Sequence, residues 1–597
     1  MKKLLLLLTI IVNFGFISNA ETISEIQGTS ITSKMENKEV KDVIGVVTLV
    51  KDGKGFFIQS IKSDKNSKTS EGIYIENKIK ADVKVGQLIK IDGVVKETYM
   101  SRIDKSQLTN TAIDASKIEL LDLNNTYSIK PIVISGKDTP RTVHNGDFNT
   151  LNTKINAMDY YESLEGMVVR IPKPLITGFK EKYGDIWVVP NLGKYAETRS
   201  KNGGVVYNNY KYEQTQRITI TTTPWKLTKN SKFIDGVTPN PGDTFKGDIV
   251  GVLYYDNAEY RILPINDFPG IQDSKTAPEK NKFKYDSKKL NVVSYNIENF
   301  SHVDAPDRVV ELARQVKEEL QTPDILGLIE VGDDDGHKAT TLVEATENVN
   351  AIVNEIKKQT GLEYGIMTVA PEHGKDGGWV DMHIRNVILY RKDRLNPVKF
   401  NQGDSKIDTQ IMKENGKTYM SYNPGRIGNN DPVWNDVRKP VIAQFEFQGK
   451  NIFVIANHLK SKRADHKIYG SNQPVIRASE EIRNPEAVRI NEFAKEILKN
   501  DPNATIISLG DMNDFEFSNT IKLMSKDILI DTISELPKSE RSTYIYQGNA
   551  QTLDNILINK KYKGKVNVDV IRRNSEFTLS QGSFSDHDPM FIQFTIK

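Results

Sequence analysis

The sequence predicts a multidomain protein in which two β-rich modules precede an α/β domain. At 597 residues the chain is too long for a single hydrophobic core. Residues 41–270 read as short alternating strands separated by Gly, Asp and Lys turns. Residues 285–597 instead alternate buried strands with amphipathic helices. This change in the pattern of predicted secondary structure separates the two kinds of domain.

The composition is that of a soluble globular protein. Charged residues make up 27% of the chain and hydrophobic residues 38%. The net charge is only +3, so attraction to nucleic acid or to an anionic membrane must come from local patches. The absence of cysteine excludes disulfides, thiolate metal sites and a lipid attached to a lipobox cysteine.

The N-terminus has the pattern of a secretory signal peptide. Two lysines precede the apolar run Leu4–Val12, and the tripeptide ending at Ala20 fits the small-x-small cleavage pattern. The apolar run is short for a membrane span, and no second stretch is long enough. We therefore expect residues 1–20 to direct export to the outside of the cell, with no stable membrane insertion and no C-terminal anchor.

The β-rich half divides into two modules flanked by polar segments. Residues 21–40 are polar and are predicted to be a linker. Residues 41–125 contain about five short strands, which suggests a small barrel or sandwich. Residues 126–270 form a second β-rich module, and the charged segment 271–284 is predicted to link it to the last domain.

Strands and helices alternate along residues 285–597. Pro306–Leu320 is predicted to be a helix because its apolar residues recur on one face, and Leu342–Ile356 is predicted to be a second helix. The predicted strands are LNVVSYNIENF, DILGLIE, NVILYR, VIAQFEF, NIFVIANH, TIISLGD, LDNILI and MFIQFTI.

Most of these strands begin or end at a side chain that can bind a metal ion or a phosphate. These side chains are Asn296, Glu298, Glu330, Asn457, His458, Asp511, Asn513, Asp554, Asp586 and His587. Strand ends in a layered sheet converge on one rim, where function is commonly placed. Carboxylate oxygens suit Mg²⁺, Mn²⁺ or Ca²⁺ rather than zinc, and the two histidines can act as base and phosphate donor. The set predicts metal-assisted hydrolysis of a phosphodiester.

The segment Leu509–Asp514, LGDMND, supports this prediction. Asp511 and Asn513 are two residues apart, so in an extended segment both side chains point the same way. Gly510 permits another backbone to approach closely. The alternative is a turn rich in Asp and Asn that only closes the strand.

These segments resemble the endonuclease/exonuclease/phosphatase superfamily, which includes deoxyribonuclease I and the apurinic endonucleases. The motifs occur in the family's order across roughly Tyr285–Lys597: SYNIENF, DILGLIE, RKPVIAQF, NHLKSK, GDMNDF, LDNIL and SDHDP. The resemblance implies a four-layered α/β sandwich, with two mixed sheets face to face and helices outside. NHLKSK and RKPV, with the two β-rich modules, resemble the secreted bacterial nuclease subgroup, whose N-terminal modules are OB-fold-like.

The resemblance implies a metal site centred on Glu330. Asn296 and Glu298 would support the metal or the phosphate, and Asp586 would be a further carboxylate of the metal site. The implied ion is Mg²⁺ or Mn²⁺, with Ca²⁺ as a possible additional ion. The three aspartates of GDDDGHK (Gly332–Lys338) are expected to belong to a solvated loop, a second cation site being the alternative.

The resemblance also implies the catalytic roles. Asp511 would position or deprotonate the attacking water, and Asn513 would hold the water or the scissile phosphate. His587 would contact the phosphate or act as the base, with Asp554 orienting its ring. His458 matches the second histidine of the deoxyribonuclease I branch, although no carboxylate is found to orient it.

Three basic residues are assigned to the substrate. Arg438 falls where the deoxyribonuclease I branch has a phosphate-contacting arginine, and we assign Lys460 and Arg385 to phosphate binding as well. Lys460 belongs to the basic segment HLKSKRADHK (His458–Lys467), which is predicted either to contact a nucleic-acid backbone or to be a solvated loop.

The predicted function is that of a secreted nuclease acting on DNA, with RNA as a possible substrate, by endonucleolytic cleavage. The β-rich modules are expected to help binding rather than chemistry. Phe56, Phe57, Tyr74 and Tyr99 either stack on bases or fill the barrel core. The alternatives are a phosphodiesterase of sphingomyelinase type or another phosphatase of the superfamily, and a non-catalytic surface binding protein. No protein partner is indicated.

Overall fold

The computed structural model describes residues 20–51, 55–122, 124–180, 185–222 and 239–597. The predicted signal peptide lies outside the described residues, apart from Ala20 at its end. Within the described ranges, no helix combines the length and the apolar character needed to cross a membrane.

The first domain is a closed five-stranded barrel. Its strands are β1 (Glu39–Lys51), β2 (Gly55–Gln59), β3 (Gly72–Glu76), β4 (Leu88–Thr98) and β5 (Asn110–Leu120), joined in the order β1-β2-β3-β5-β4. β4 pairs back to β1 and closes the barrel. Closure leaves no free sheet edge in this small domain.

The barrel core takes up residues from the polar segment before it. Helix α1 (Ile23–Gln27) buries Ile23 and Ile26 in the barrel core, and the Gln27 amide donates a hydrogen bond to the Gly72 carbonyl oxygen (2.7 Å). Residues 21–40 are therefore packed against the barrel, in contrast to the linker expected there. The polar composition of this segment conceals its three isoleucines, Ile23, Ile26 and Ile31.

The aromatic residues of the barrel are core residues. Phe56 lies in the barrel interior, whereas Phe57 and Tyr74 pack in the core shared with the second domain. All three are buried, and Tyr99 is half-buried. Phe56, Phe57 and Tyr74 are thus unavailable for stacking on bases.

The second domain is built on one nine-stranded mixed sheet. The strands are β6 (Ile132–Val133), β7 (Val168–Ile171), β8 (Leu175–Lys180), β9 (Asp185–Val189), β10 (Ile218–Thr221), β11 (Thr244–Phe245), β12 (Ile249–Asp256), β13 (Glu259–Pro264) and β14 (Ile271–Gln272). Their order is β14-β11-β8-β9-β10-β13-β12-β7-β6, and the domain also contains helix α2 (Ala157–Glu162). The edge strand β14 falls in the segment 271–284 expected to be a linker.

The α/β domain contains two large sheets and two small hairpins. Its strands are β15 (Leu290–Phe300), β16 (Ile325–Val331), β17 (Tyr364–Thr368), β18 (Arg385–Arg391), β19 (Asn396–Pro397), β20 (Ile411–Glu414), β21 (Lys417–Met420), β22 (Gly425–Arg426), β23 (Val441–Phe447), β24 (Lys450–His458), β25 (Thr505–Asp511), β26 (Leu529–Asp531), β27 (Tyr544–Tyr546), β28 (Asn549–Gln551), β29 (Asp554–Asn559), β30 (Asn567–Val570) and β31 (Met590–Phe594). One sheet has the order β17-β18-β16-β15-β31-β30. The other has the order β19-β23-β24-β25-β29-β26, with β22 paired to β23. The hairpins are β20–β21 and β27–β28.

The two sheets pack face to face, and helices cover their outer faces. The apolar residues between the sheets form one core, with Val292 and Ile388 from one sheet and Val454 and Ile507 from the other. Helices α3 (Pro306–Glu318) and α4 (Thr346–Thr360) cover the first sheet, and α5 (Glu480–Asn500) and α6 (Asn519–Ser525) cover the second. The layers therefore follow the order helix, sheet, sheet, helix.

The two sheets approach most closely where a glycine faces a leucine. A Cβ atom built on Gly327 of β16 would lie 2.2 Å from Cδ1 of Leu509 on β25. Glu330 follows Gly327 on the same strand, and Asp511 follows Leu509. This contact therefore sets the separation of the two strand ends that carry these carboxylates.

We predict that Gly327→Val lowers both stability and activity. Added methyl groups in a close-packed core typically cost about 1–3 kcal/mol through displaced side chains and backbone. The melting temperature measured by circular dichroism should fall, and turnover should fall with it because the strand ends move apart. Adding Leu509→Ala should recover part of the loss, since it makes room for the valine; a double mutant no better than Gly327→Val would contradict this account.

Candidate active site

Neighbouring strands bring the predicted site residues to one rim of the α/β domain. In the second sheet, His458 on β24 lies opposite Asp511 on β25, and Asp511 lies opposite Asp554 on β29. In the first sheet, β15 and β16 run parallel, with Asn296 paired to Ile329 directly before Glu330. The last strand, β31, follows His587. Both sheets thus contribute side chains to a single site.

Glu330, His458 and Asp511 form the part of this site that can hold a metal ion. One ligand atom from each lies within 4.8 Å of the others. His458 Nε2 is 3.6 Å from Glu330 Oε1 and 3.7 Å from Asp511 Oδ2. Carboxylate oxygens are the ligands that Mg²⁺ and Mn²⁺ prefer, and burial raises the pKa of Asp511 to about 7. A half-buried and a buried carboxylate this close together fit a dication.

Asn296 supports these carboxylates through its amide nitrogen. Its Nδ2 donates hydrogen bonds to Glu330 Oε1 (3.0 Å) and Asp511 Oδ2 (3.1 Å). Its Oδ1 accepts from the Glu298 N–H (3.0 Å) and so does not face the cluster. In this arrangement Asn296 orients the acids, which differs from the direct metal contact allowed for in the sequence analysis.

Glu298 and Asp586 lie at the outer edge of the site. Both are exposed to solvent, and neither belongs to the three-residue cluster that can hold an ion. Asp586 Oδ1 is 3.9 Å from His587 Nε2. The metal role of Asp586 stays a prediction, whereas Asp511 lies within the three-residue cluster. Desolvation and the charge of Asp586 raise the pKa of Glu298 to about 7.

His587 is held by Asp554 and faces Asp511. Its Nδ1 is 2.7 Å from Asp554 Oδ2, and its Nε2 is 3.9 Å from Asp511 Oδ2. Burial alone lowers the pKa of His587, but the charges of Asp554, Asp586 and Asp511 outweigh burial and raise this pKa well above its ordinary value. The surrounding carboxylates therefore favour the protonated form of the ring.

His458 has the opposite charge state. Burial lowers the pKa of His458 well below its ordinary value, and the charges of Arg438 and His587 add to this effect. One histidine of the site is thus neutral and the other cationic, so the two can take different parts in a reaction.

Three of the predicted residues adopt a left-handed backbone conformation. Glu330 has φ +65°, Asn513 has φ +48° and Glu298 has φ +48°. Such conformations cost on the order of 1–3 kcal/mol each and cluster at functional sites. At Gly510, φ is +135°, and a Cβ atom there would lie 2.0 Å from the Asn457 carbonyl oxygen. The strand ends are therefore held in positions that regular strands do not reach.

Buried hydrogen bonds anchor the loop that carries His587. Asp588 is buried and accepts from the N–H groups of Arg573 (2.9 Å) and Asn574 (2.7 Å). The Arg308 guanidinium donates to the carbonyl oxygens of Ile297 and Phe584, which ties the end of β15 to this loop. Arg308 belongs to none of the sequence motifs, and its position in the first turn of α3 is the one sequence feature that indicates a role for it.

The three predicted phosphate contacts are not all at the site. Arg438 lies behind the cluster, buried, with Nη2 donating to the Leu459 carbonyl oxygen (2.6 Å). The buried Arg385 donates to the Val343 carbonyl oxygen and lines a separate small cavity, so its assignment to phosphate binding is not supported. The Lys460 N–H donates a hydrogen bond to the Glu486 carboxylate, and the Lys460 carbonyl oxygen accepts one from the Arg483 guanidinium.

The aspartate-rich loop is partly a buried structure. Asp333 is fully buried, and its Oδ2 accepts from the His383 N–H (2.7 Å) and contacts His383 Nδ1 (3.0 Å). Asp334 and Asp335 are half-buried. A fully solvated loop is therefore the wrong description of this segment, because His383, distant in sequence, encloses it.

The catalytic cluster opens into a cavity of about 450 Å³. Its basic lining comes from the segment after His458, with Lys462, Arg463 and Lys467. Sequence reasoning missed the aromatic lining, which consists of Tyr207, Phe515, Tyr544 and Tyr546. Tyr207 belongs to the second domain, and no local pattern in the sequence marks it as a site residue. The second domain thus takes part in the site, beyond the purely auxiliary position expected for it.

Comparisons with known proteins agree with this geometry. Residues 293–587 match the model of the Endonuclease/Exonuclease/phosphatase family, and residues 126–273 match a domain of unknown function, DUF8508. No curated protein matches the chain.

Three of the solved structures that are similar to the chain are the following. A humanized D. rerio TDP2 with 14 mutations is 19% identical, with 51% of this chain and 99% of that chain covered and a TM-score of 0.32. The human nocturnin catalytic domain is 14% identical, with 52% and 95% covered and a TM-score of 0.33. An endonuclease/exonuclease/phosphatase from Bacteroides vulgatus is 14% identical, with 52% and 99% covered and a TM-score of 0.31. The α/β part of this chain, residues 293–587, belongs to the endonuclease/exonuclease/phosphatase family.

Proposed function

We propose that this protein is a secreted, divalent-metal-dependent nuclease that hydrolyses phosphodiester bonds within extracellular DNA, with RNA as the alternative polymer. One observation carries the proposal: a cluster of Glu330, His458 and Asp511 lies beside His587 in a cavity whose lining includes Lys462, Arg463 and Lys467. The signal-peptide pattern of residues 1–20 supports secretion.

Each residue of the site has a different role in the proposed reaction. Glu330 and Asp511, with His458 adjacent, would hold a Mg²⁺ or Mn²⁺ ion, which would supply positive charge to the phosphate. The Asp511 carboxylate also accepts a proton from the attacking water. His587 donates a hydrogen bond to a phosphate oxygen as negative charge builds there. Water forms the new bond to phosphorus as the bond to the leaving oxygen breaks.

The N-terminal domains fit binding of the polymer. The barrel order β1-β2-β3-β5-β4, together with closure between β4 and β1, supports the OB-fold-like assignment. Barrels of that kind bind oligonucleotides through one face and the adjoining loops.

A lipid phosphodiesterase of sphingomyelinase type is the second candidate. Trp379 and Val380 form an exposed apolar pair at the rim, with side-chain exposures of 46% and 93%. However, the Trp379 ring lies 4.5 Å from the Arg463 guanidinium and its indole N–H donates to Asn299, which suits a polar ligand better than a lipid tail. Assaying purified protein on DNA, RNA and sphingomyelin separates the two candidates.

We predict that activity requires a dication bound at Glu330. EDTA should abolish cleavage of an oligonucleotide, and Mg²⁺ or Mn²⁺ should restore it. Glu330→Gln should bind Mn²⁺ at least about tenfold more weakly, because one of two charged ligands becomes neutral. Titration calorimetry measures this binding, and the exposed Glu363→Gln serves as the matched control. Full activity in EDTA would exclude the metal mechanism.

We predict that His587→Ala lowers kcat by about 10²–10⁴-fold, the usual value of a general acid/base or a phosphate-stabilising group, with a much smaller change in KM. Asp554→Asn should lower kcat less, because the ring keeps a partner but loses the charge that keeps it cationic. His337→Ala, at an exposed histidine, is the control.

Steady-state kinetics with melting temperatures measured alongside check these variants. A His587→Ala protein that melts normally and keeps more than about a tenth of wild-type kcat would show that this histidine is not catalytic, since such roles are worth more.

A further inference from the structure

A segment of the second domain forms one side of the catalytic cavity. We call residues 205–213 the wall segment. It pairs with the β27–β28 hairpin, because Tyr207 N–H donates to the Ala550 carbonyl oxygen (2.8 Å) and Ala550 N–H donates to the Val205 carbonyl oxygen (2.8 Å). At the hairpin tip, a Cβ atom on Gly178 would lie 2.8 Å from the Gly548 Cα atom. The hairpin is therefore held between the second domain and the catalytic residues.

The wall segment is fixed to the α/β domain by charge and by aromatic packing. The Arg477 guanidinium pairs with Glu213 and lies 3.8 Å over the ring centroid of Tyr210. The Tyr210 hydroxyl donates to Glu480 (2.9 Å). The Tyr207 and Phe515 rings meet edge to face at 4.8 Å. The cavity is thus bounded by side chains that hold one another in place.

The catalytic groups lie deep behind this wall. His458 and His587 are each 5% exposed, and Asp511 is 2% exposed. The cavity of about 450 Å³ is of the size that encloses a small molecule rather than a helical polymer. A double helix is too wide to enter a cavity of this volume bounded by the wall segment, whereas a single unpaired strand can enter, so a duplex must be locally unpaired before one of its phosphodiesters reaches the catalytic groups.

The lining of the cavity offers the chemistry of single-strand binding. Tyr546, on the hairpin, is 51% exposed, and the Tyr544 ring lies 4.6 Å from the His587 ring. The lysines and the arginine of the basic segment line the same cavity. Aromatic faces beside a positively charged groove bind unpaired bases and the backbone that joins them.

We propose that the wall segment makes this site selective for single-stranded nucleic acid, with Tyr546 as a stacking platform for a base next to the cleaved bond. The inference rests on the proposed nuclease function and narrows its substrate class. Duplex DNA enters only where its strands are already separated.

Initial rates on matched substrates test the selectivity. The full-length mature protein with Mn²⁺ is given one sequence as a single strand and as a blunt duplex, and bis(p-nitrophenyl) phosphate as a small diester. The single strand should be cleaved at least about tenfold faster than the duplex, because only the duplex must be unpaired first. Equal rates on the two forms would overturn the selectivity and leave the nuclease function intact. Hydrolysis of none of the three substrates would overturn both.

Tyr546→Ala tests the platform. It should raise KM for the single strand by about five- to a hundredfold, the loss expected for one base–aromatic contact, and leave KM for the small diester unchanged. Phe400→Ala, which removes another exposed aromatic side chain (60%) outside the cavity lining, is the control. An unchanged KM for the single strand, or an equal rise with Phe400→Ala, would exclude Tyr546 as the platform.

Discussion

The site depends on holding several carboxylates close together despite their mutual repulsion. Glu330, Asp511 and Asp586 line one cavity, the buried Asp554 lies opposite Asp511, and the mutual repulsion of these carboxylates is costly. The fold offsets this repulsion with three kinds of partner: the amide of Asn296 between two carboxylates, the cation of His587 against Asp554, and the dication proposed for the cluster. Removing any one partner leaves the others facing uncompensated charge, so the members of the site depend on one another.

Holding that arrangement requires a rigid frame. Two sheets meet at Gly327 and Leu509, and the backbone at Glu330 and Asn513 takes conformations that are unfavourable in isolation. Asp588, buried behind His587, anchors the last loop to the chain at Arg573 and Asn574. None of these features contacts the substrate directly. They fix where the carboxylates and the histidine lie before substrate arrives, so that little reorganisation is needed during the reaction.

The sequence predicted the strands that carry the site, because buried strands leave long apolar runs and the polar residues at their ends stand out. It predicted the contact of His587 with Asp554 only through the family resemblance. Helix α4 begins at Thr346, after the predicted Leu342, because Leu342 is exposed and the buried face starts near Val349. Arg385, assigned to phosphate binding, shows what the sequence leaves open. Its neighbours along the strand are predictable, but the direction of its side chain depends on packing by residues far away in sequence.

The position of the second domain was the least predictable feature, because its contacts join residues that are hundreds of positions apart. The buried Glu213 pairs with the half-buried Arg477 across the domain boundary, and such a pair adds little net stability because its charges must be partly dehydrated. The pair instead favours one arrangement of the domains, because a displaced wall segment would leave the buried Glu213 carboxylate unpaired. The aromatic packing of Tyr207 and Tyr210 on Phe515 and Phe517 supplies the attraction that the ion pair lacks. Apolar contact therefore holds the second domain on the catalytic domain, while charge selects the one orientation in which Tyr207 lines the cavity.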